Sequence, residues 1–161
     1  MGASIMNINI ICVGSIKEDY LTEAITEYKT RLSKWANVKI IELKEEKLPK
    51  NYSAKDIDLV IEKEGDRILE SIKGYMILMD INGAMVDSVG LSNKIADIQN
   101  SSSTINFVIG GSYGTSAKVK TRADYKLSFS KMTFPHQLFR VMLLEQVYRA
   151  FTILNNVTYH K

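Results

Sequence analysis

The sequence predicts an α/β protein: one domain, with a largely parallel sheet covered by helices on both faces. Three observations predict it. Strand-like and helix-like segments alternate along the chain, the pattern of parallel strands joined by helical crossovers. One strand, 75–81, is a nearly continuous apolar run, as strands covered on both faces are, and another, 7–13, is rich in β-branched residues. A chain of 161 residues with 45% hydrophobic composition can bury one sizeable core, given roughly 100–200 residues per domain.

Met1-Gly2-Ala3-Ser4-Ile5 precedes a second methionine, Met6, where the strand pattern starts. Residues 1–5 therefore read as an expression remnant or an upstream start, and 6–161 as the domain. The run 7–13 is rich in β-branched residues and closes at Gly14, which makes it a buried strand. Leu21, Ala24, Ile25, Tyr28 and Leu32 recur at three- and four-residue steps, so they share one helix face while Glu23, Glu27 and Lys29 go to solvent. Trp35-Ala36-Asn37 is expected to turn the chain into a half-exposed edge strand over 38–43. The charged run 44–51, which contains Pro49, is expected as a solvated loop. Ser53 with Asp56 three residues later resembles a capping box. It opens a helix that turns Ile57, Val60, Ile61, Ile68, Leu69 and Ile72 inward, with Gly65 weakening its middle.

After the strand 75–81, Asn82-Gly83 is expected as a turn. Asp87 or Ser88 caps a helix that buries Leu91, Ile95 and Ile98, and a strand over 104–109 empties into Gly110-Gly111-Ser112-Tyr113-Gly114. A short helix over 117–122 follows. Leu127-Ser128-Phe129 then reads as strand running into a polar Ser/Lys/Thr turn, and Pro135 stands where a first helical turn tolerates proline. The last helix carries Leu138, Val141, Met142, Leu144, Val147, Tyr148, Phe151 and Leu154, too many apolar positions for one stripe. That surplus predicts a partner beyond its own sheet, which is a subunit interface.

Composition bounds the function. With 21 basic and 18 acidic residues, the net charge of +3 permits a polyanionic partner without demanding one. Cys12 is the only cysteine and lies in an apolar run, so a disulfide framework and a cysteine metal site within one chain are excluded, in keeping with a reducing cytoplasm. No basic region precedes a long apolar run, and no stretch approaches the roughly 18 apolar residues of a membrane span. The protein is expected to be soluble and cytoplasmic, with no membrane partner. His136 and His160 are the only histidines and have no cysteine or carboxylate cluster at ligand spacing, so no metal is expected.

The chemistry is expected at the carboxyl edge of the sheet, where a glycine-rich loop and a Ser/Lys/Thr loop follow two strands and can wall one crevice. Glycine lets backbone approach a ligand, but the glycine run is neither G-x-G-x-x-G nor a P-loop, and a plain tight turn reads equally well. On the last helix Arg140, Glu145 and Arg149 stand among apolar residues. They read either as phosphate contacts or as an ordinary ion pair, the latter favoured on spacing. Tyr159-His160-Lys161 reads as a frayed tail or as an aromatic and basic contact for RNA.

Taken together, these residues resemble the SPOUT class of RNA methyltransferases. The likeness is to its small, single-domain RlmH type, which acts on a pseudouridine of bacterial large-subunit ribosomal RNA. The matching segments are Ile11-Cys12-Val13-Gly14, Phe107-Val108-Ile109 with the glycine loop, Leu127 through Gln137, Glu145-Gln146-Val147-Tyr148-Arg149-Ala150, and Tyr159-His160-Lys161, so the likeness runs from Met6 to the end. Tyr113 stands where the family often has asparagine, and Met79 where a leucine is common. The resemblance implies a C-terminal trefoil knot, a homodimer with its active site at the subunit interface, and S-adenosylmethionine as methyl donor with S-adenosylhomocysteine as product. The implied substrate is N3 of a pseudouridine in 23S rRNA, methylated on the assembled 70S ribosome. It also implies a cofactor pocket of Met79, Gly110, Phe129, Ser130, Lys131, Met132, Thr133 and Phe134. Glu145, Tyr159 and His160 are then candidates to assist loss of the N3 proton, with Arg149 stabilising the imide anion; the sequence does not choose among them. A nucleotide- or RNA-binding module without catalysis is the alternative, and a flavodoxin-like flavin domain a more distant one.

Overall fold

The computed structural model describes residues 5–161. Of the expected extension, residues 1–4 lie outside the described residues, and Ile5 is exposed ahead of the first strand. Ten elements follow: β1 (Met6–Val13), α1 (Asp19–Leu32), β2 (Ala36–Leu43), α2 (Ala54–Ser71), β3 (Tyr75–Met85), α3 (Ser88–Gln99), β4 (Thr104–Ile109), α4 (Ala117–Arg122), β5 (Tyr125–Ser128) and α5 (His136–Leu154). The five strands form one sheet in the order β2-β1-β4-β3-β5, and every strand pair is parallel. The sheet is buried on both faces, as its apolar strands require. On one face Ile8, Ile10, Phe107 and Ile77 pack with residues of α1, α3 and α5; on the other Ile11, Val108 and Leu78 pack with Ile68 of α2 and Val119 of α4.

Local signals account for most boundaries. The capping box at Ser53 is complete: its hydroxyl accepts from the Asp56 N–H, and the Asp56 carboxylate accepts from the Ser53 N–H at 2.8 Å. Asp87 caps α3 by accepting from the Gly90 N–H at 2.7 Å. Three expectations are corrected. Ala36-Asn37 is not a turn but the start of β2, because parallel pairing with β1 carries the strand back to Ala36 opposite Met6. Asn82-Gly83 lies inside β3, where the register against β5 shifts between Met79 and Ala84; a Cβ at Gly83 would sit 2.6 Å from the Lys126 carbonyl carbon, so glycine serves close strand approach there. Gly65 does more than weaken α2. A Cβ there would sit 2.5 Å from Ser116 Oγ, the hydroxyl that caps α4, so glycine lets the two helices meet.

Candidate functional site

The carboxyl ends of β4 and β5, with Met79, Asp80 and Ile81 from the middle of β3, open into a cavity of about 340 Å³. The loop from Gly110 to Thr115 forms one wall. It turns back through a Gly114 N–H donation to the Gly111 carbonyl at 3.1 Å, with Gly114 at φ +98°, where a side chain would be strained. The opposite wall is the loop 129–134. Ser128 Oγ donates to the Ser130 carbonyl at 3.1 Å and Ser130 Oγ accepts from the Met132 N–H at 3.0 Å, so the loop's own hydroxyls fix its shape. Phe139, on the first turns of α5, holds Phe129 and Phe134 with ring centroids 5.0 and 6.0 Å away.

Seven of the residues expected at the cofactor pocket line this cavity: Met79, Gly110, Phe129, Ser130, Met132, Thr133 and Phe134. Lys131 is not in the lining; its ammonium donates to the carbonyl of Ile81, which is part of the wall, at 3.1 Å. Sequence reasoning missed Asp80, Thr115, Lys120, His136 and Phe139, which also line it. Asp80 carried a usable signal, as the first charged residue after the apolar run 75–79. Beneath the glycine loop lies Glu64 of α2, 4% exposed, whose Oε2 accepts from the Glu46 N–H at 3.0 Å while Oε1 has no partner and abuts Gly111. Burial raises this carboxyl above its ordinary value.

Glu145, Arg149, Tyr159 and His160 meet one another. Glu145 Oε1 accepts from Arg149 Nε at 3.0 Å, Arg149 Nη2 at 2.5 Å and the Tyr159 hydroxyl at 3.1 Å; Arg149 Nη1 lies 3.2 Å from His160 Nδ1. Tyr159 stacks edge-on against Tyr148, 4.8 Å between centroids, beneath the Arg149 guanidinium, so the tail is folded onto α5. Burial, reinforced by the Glu145 carboxylate, pushes the Tyr159 phenol up to about 12, and the hydrogen bonds that Arg149 donates to Glu145 hold the guanidinium above its ordinary value. Both are therefore proton donors at neutral pH. An arginine only donates, so His160 Nδ1 is the acceptor in this contact and Nε2 is the ring's donor.

None of these four residues is in the wall of the 340 Å³ cavity. Between His136 and Glu145 the helix rises about 13 Å. A neighbouring cavity of about 570 Å³ joins the two regions, sharing Leu127, Phe129 and Phe134 with the first and reaching Glu145. A third, of about 670 Å³, lies at the ends of β1 and β2 and shares Ser112 and His136 with the first. Among the described residues no group of three or more His, Cys, Asp or Glu is arranged to hold a metal, and no helix is long and apolar enough to cross a membrane. Cys12 is buried, and burial pushes its thiol up to about 12, which makes it unreactive.

The walls suit an adenosyl sulfonium ligand. They combine a glycine backbone, three phenylalanine rings, and Asp80 and Lys120 for polar ends, in a volume at the small end of ligand sites.

A family model described as "Predicted SPOUT methyltransferase" matches residues 6–160. Curated relatives from Clostridium acetobutylicum and Clostridium botulinum, each named ribosomal RNA large subunit methyltransferase H, are 55% identical over 159 residues, spanning 97% of this chain and 100% of theirs. One of the same name from Clostridium tetani is 53% identical over the same span. Among solved structures, the SpoU methyltransferase AviRb from Streptomyces viridochromogenes in complex with AdoMet is similar at a TM-score of 0.47 and 10% identity, over 95% of this chain and 63% of that one.

Proposed function

The chain belongs to the SPOUT methyltransferase family, and from that premise we propose that it methylates N3 of a pseudouridine in 23S rRNA. S-adenosylmethionine is the donor, the assembled ribosome in the cytoplasm is the substrate, and the working form is a knotted homodimer. The observation that carries this reading is the cavity at the carboxyl ends of β4 and β5, beside the middle of β3, walled by the two loops expected to hold the cofactor. Bound there, S-adenosylmethionine supplies a methyl group already electrophilic on its sulfonium, so the protein's tasks are orientation and charge.

The tail cluster suits the second task. N3 must shed its proton, and the imide anion then takes the methyl. Glu145 is occupied by four hydrogen bonds, two from Arg149 and one each from Tyr159 and Gln146, Tyr159 is held protonated, and His160 presents Nε2–H. The cluster therefore acts by donating to the imide oxygens as charge develops, with Arg149 as its cation, while the proton leaves to solvent. Because the cluster and the cavity stand apart in one protomer, the second copy supplies the cluster to the first copy's cavity. Exposed apolar residues fit such an interface: Val86, which lines the cavity that reaches Glu145, is 41% exposed, and Val89 and Leu138 are 43% and 42% exposed.

The test is transfer of labelled methyl from S-adenosylmethionine to 70S ribosomes lacking the modification, with free 23S rRNA alongside. Label on a pseudouridine of the ribosome, and little on free rRNA, is expected. Cofactor binding with no labelled RNA would move the substrate elsewhere; absence of cofactor binding would favour the non-catalytic binding module.

A further inference from the structure

Arg140 is the largest fully buried side chain of the protein, 1% exposed, one turn into α5. Its Nη1 donates to Glu42 Oε2 at 2.7 Å and its Nη2 to the Gly14 carbonyl at 2.8 Å, while its Nε is buried without a partner. Glu42 Oε2 also accepts from the Ile16 N–H at 2.9 Å. One guanidinium thus ties the last helix to the chain leaving β1 and to the end of β2, neither of which lines the cofactor cavity except through Arg140's neighbours.

Those neighbours are the point. His136 lies four residues before Arg140, so the two share a helix face, and Phe139 is adjacent; both line the cofactor cavity. Helix α5 has Pro135 at its N-cap and no side-chain cap, so no side-chain hydrogen bond closes its first turn. The guanidinium is buried while the Glu42 carboxylate is 42% exposed; a buried charge is a poor source of stability, since apolar replacements of similar volume are often as stable or more so, and what it supplies is a unique placement. We propose that Arg140, held by Glu42, is a positioning residue that sets the first turn of α5 and thereby the His136 and Phe139 wall against which S-adenosylmethionine is bound. This rests on the function proposed above.

The experiment compares wild type, Glu42→Gln, and the double variant Glu42→Gln with Arg140→Met, measuring S-adenosylmethionine affinity by calorimetry, thermal midpoint, and KM and kcat on ribosomes. The double variant replaces the pair by groups of like size and is expected to fold with a midpoint at or above that of wild type. Its cofactor affinity is expected to fall at least tenfold, with KM for the cofactor rising more than kcat falls. Glu42→Gln, which keeps an acceptor oxygen for Arg140, should lie between. Wild type that binds cofactor while both folded variants bind it equally well overturns this inference alone. Wild type that does not bind overturns the function as well. An unfolded double variant would show that the pair is needed for folding, which overturns the claim that it places rather than stabilises.

Discussion

At Gly110 the chain comes so close to Thr115 that an added Cβ would lie 2.5 Å from Thr115 Cγ2. The obstacle is thus the facing side of the same loop, itself part of the cavity wall. Gly110→Val should displace Thr115 and reduce cofactor affinity by at least tenfold while far-ultraviolet circular dichroism stays that of wild type; unchanged affinity in a titration would remove Gly110 from the site. Glu64 makes a different prediction. Its carboxyl is raised by burial, so the folded chain holds a proton that the unfolded chain has released. Stability from this source is full below the ordinary carboxylate range and is lost as pH rises through the raised value. Glu64→Gln fixes the neutral form. Its thermal midpoint should exceed that of wild type near about pH 7.5, above the ordinary carboxylate range, and the gain should vanish near about pH 4; a gain equal at both would assign it to packing instead.

Among the elements, those with strong periodicity or a side-chain cap were legible: α2 with its capping box, α3 with Asp87, and the apolar strands β1 and β4. Those that depend on a neighbour were not. The continuation of β3 past Gly83 is decided by the Lys126 backbone beside it, and the start of β2 by β1. The terminal segment is of the second kind. Its composition suited a frayed end, yet the Val157 N–H donates to the Thr152 carbonyl at 2.9 Å and Tyr159 seals onto Tyr148 and Glu145. Deleting residues 159–161 should leave cofactor affinity within about twofold of wild type and lower methyl transfer on the order of 100-fold, the scale of losing a transition-state donor. Full activity on ribosomes would return the tail to a structural role.

At the scale of the molecule, the separation of cavity and donor cluster predicts complementation between copies. Mixing the Gly110→Val chain with the chain lacking residues 159–161 should restore about one quarter of wild-type activity. Half of randomly formed dimers are mixed, and one of two sites in each would be whole. No recovery from verified mixed dimers would place the whole site in one protomer. The sequence by itself determined the class of fold, the strand–helix order and the two loops that wall the cavity. Those follow from apolar period, caps and glycine, interactions among residues a few positions apart. Only the tertiary structure decided that Arg140 reaches Glu42 and Gly14 across about a hundred residues, that Glu64 lies under Gly111, and that Tyr159 folds back onto Glu145. These pairings depend on which chain segments the sheet order β2-β1-β4-β3-β5 makes neighbours, and burial then sets their charge states; no local pattern encodes either.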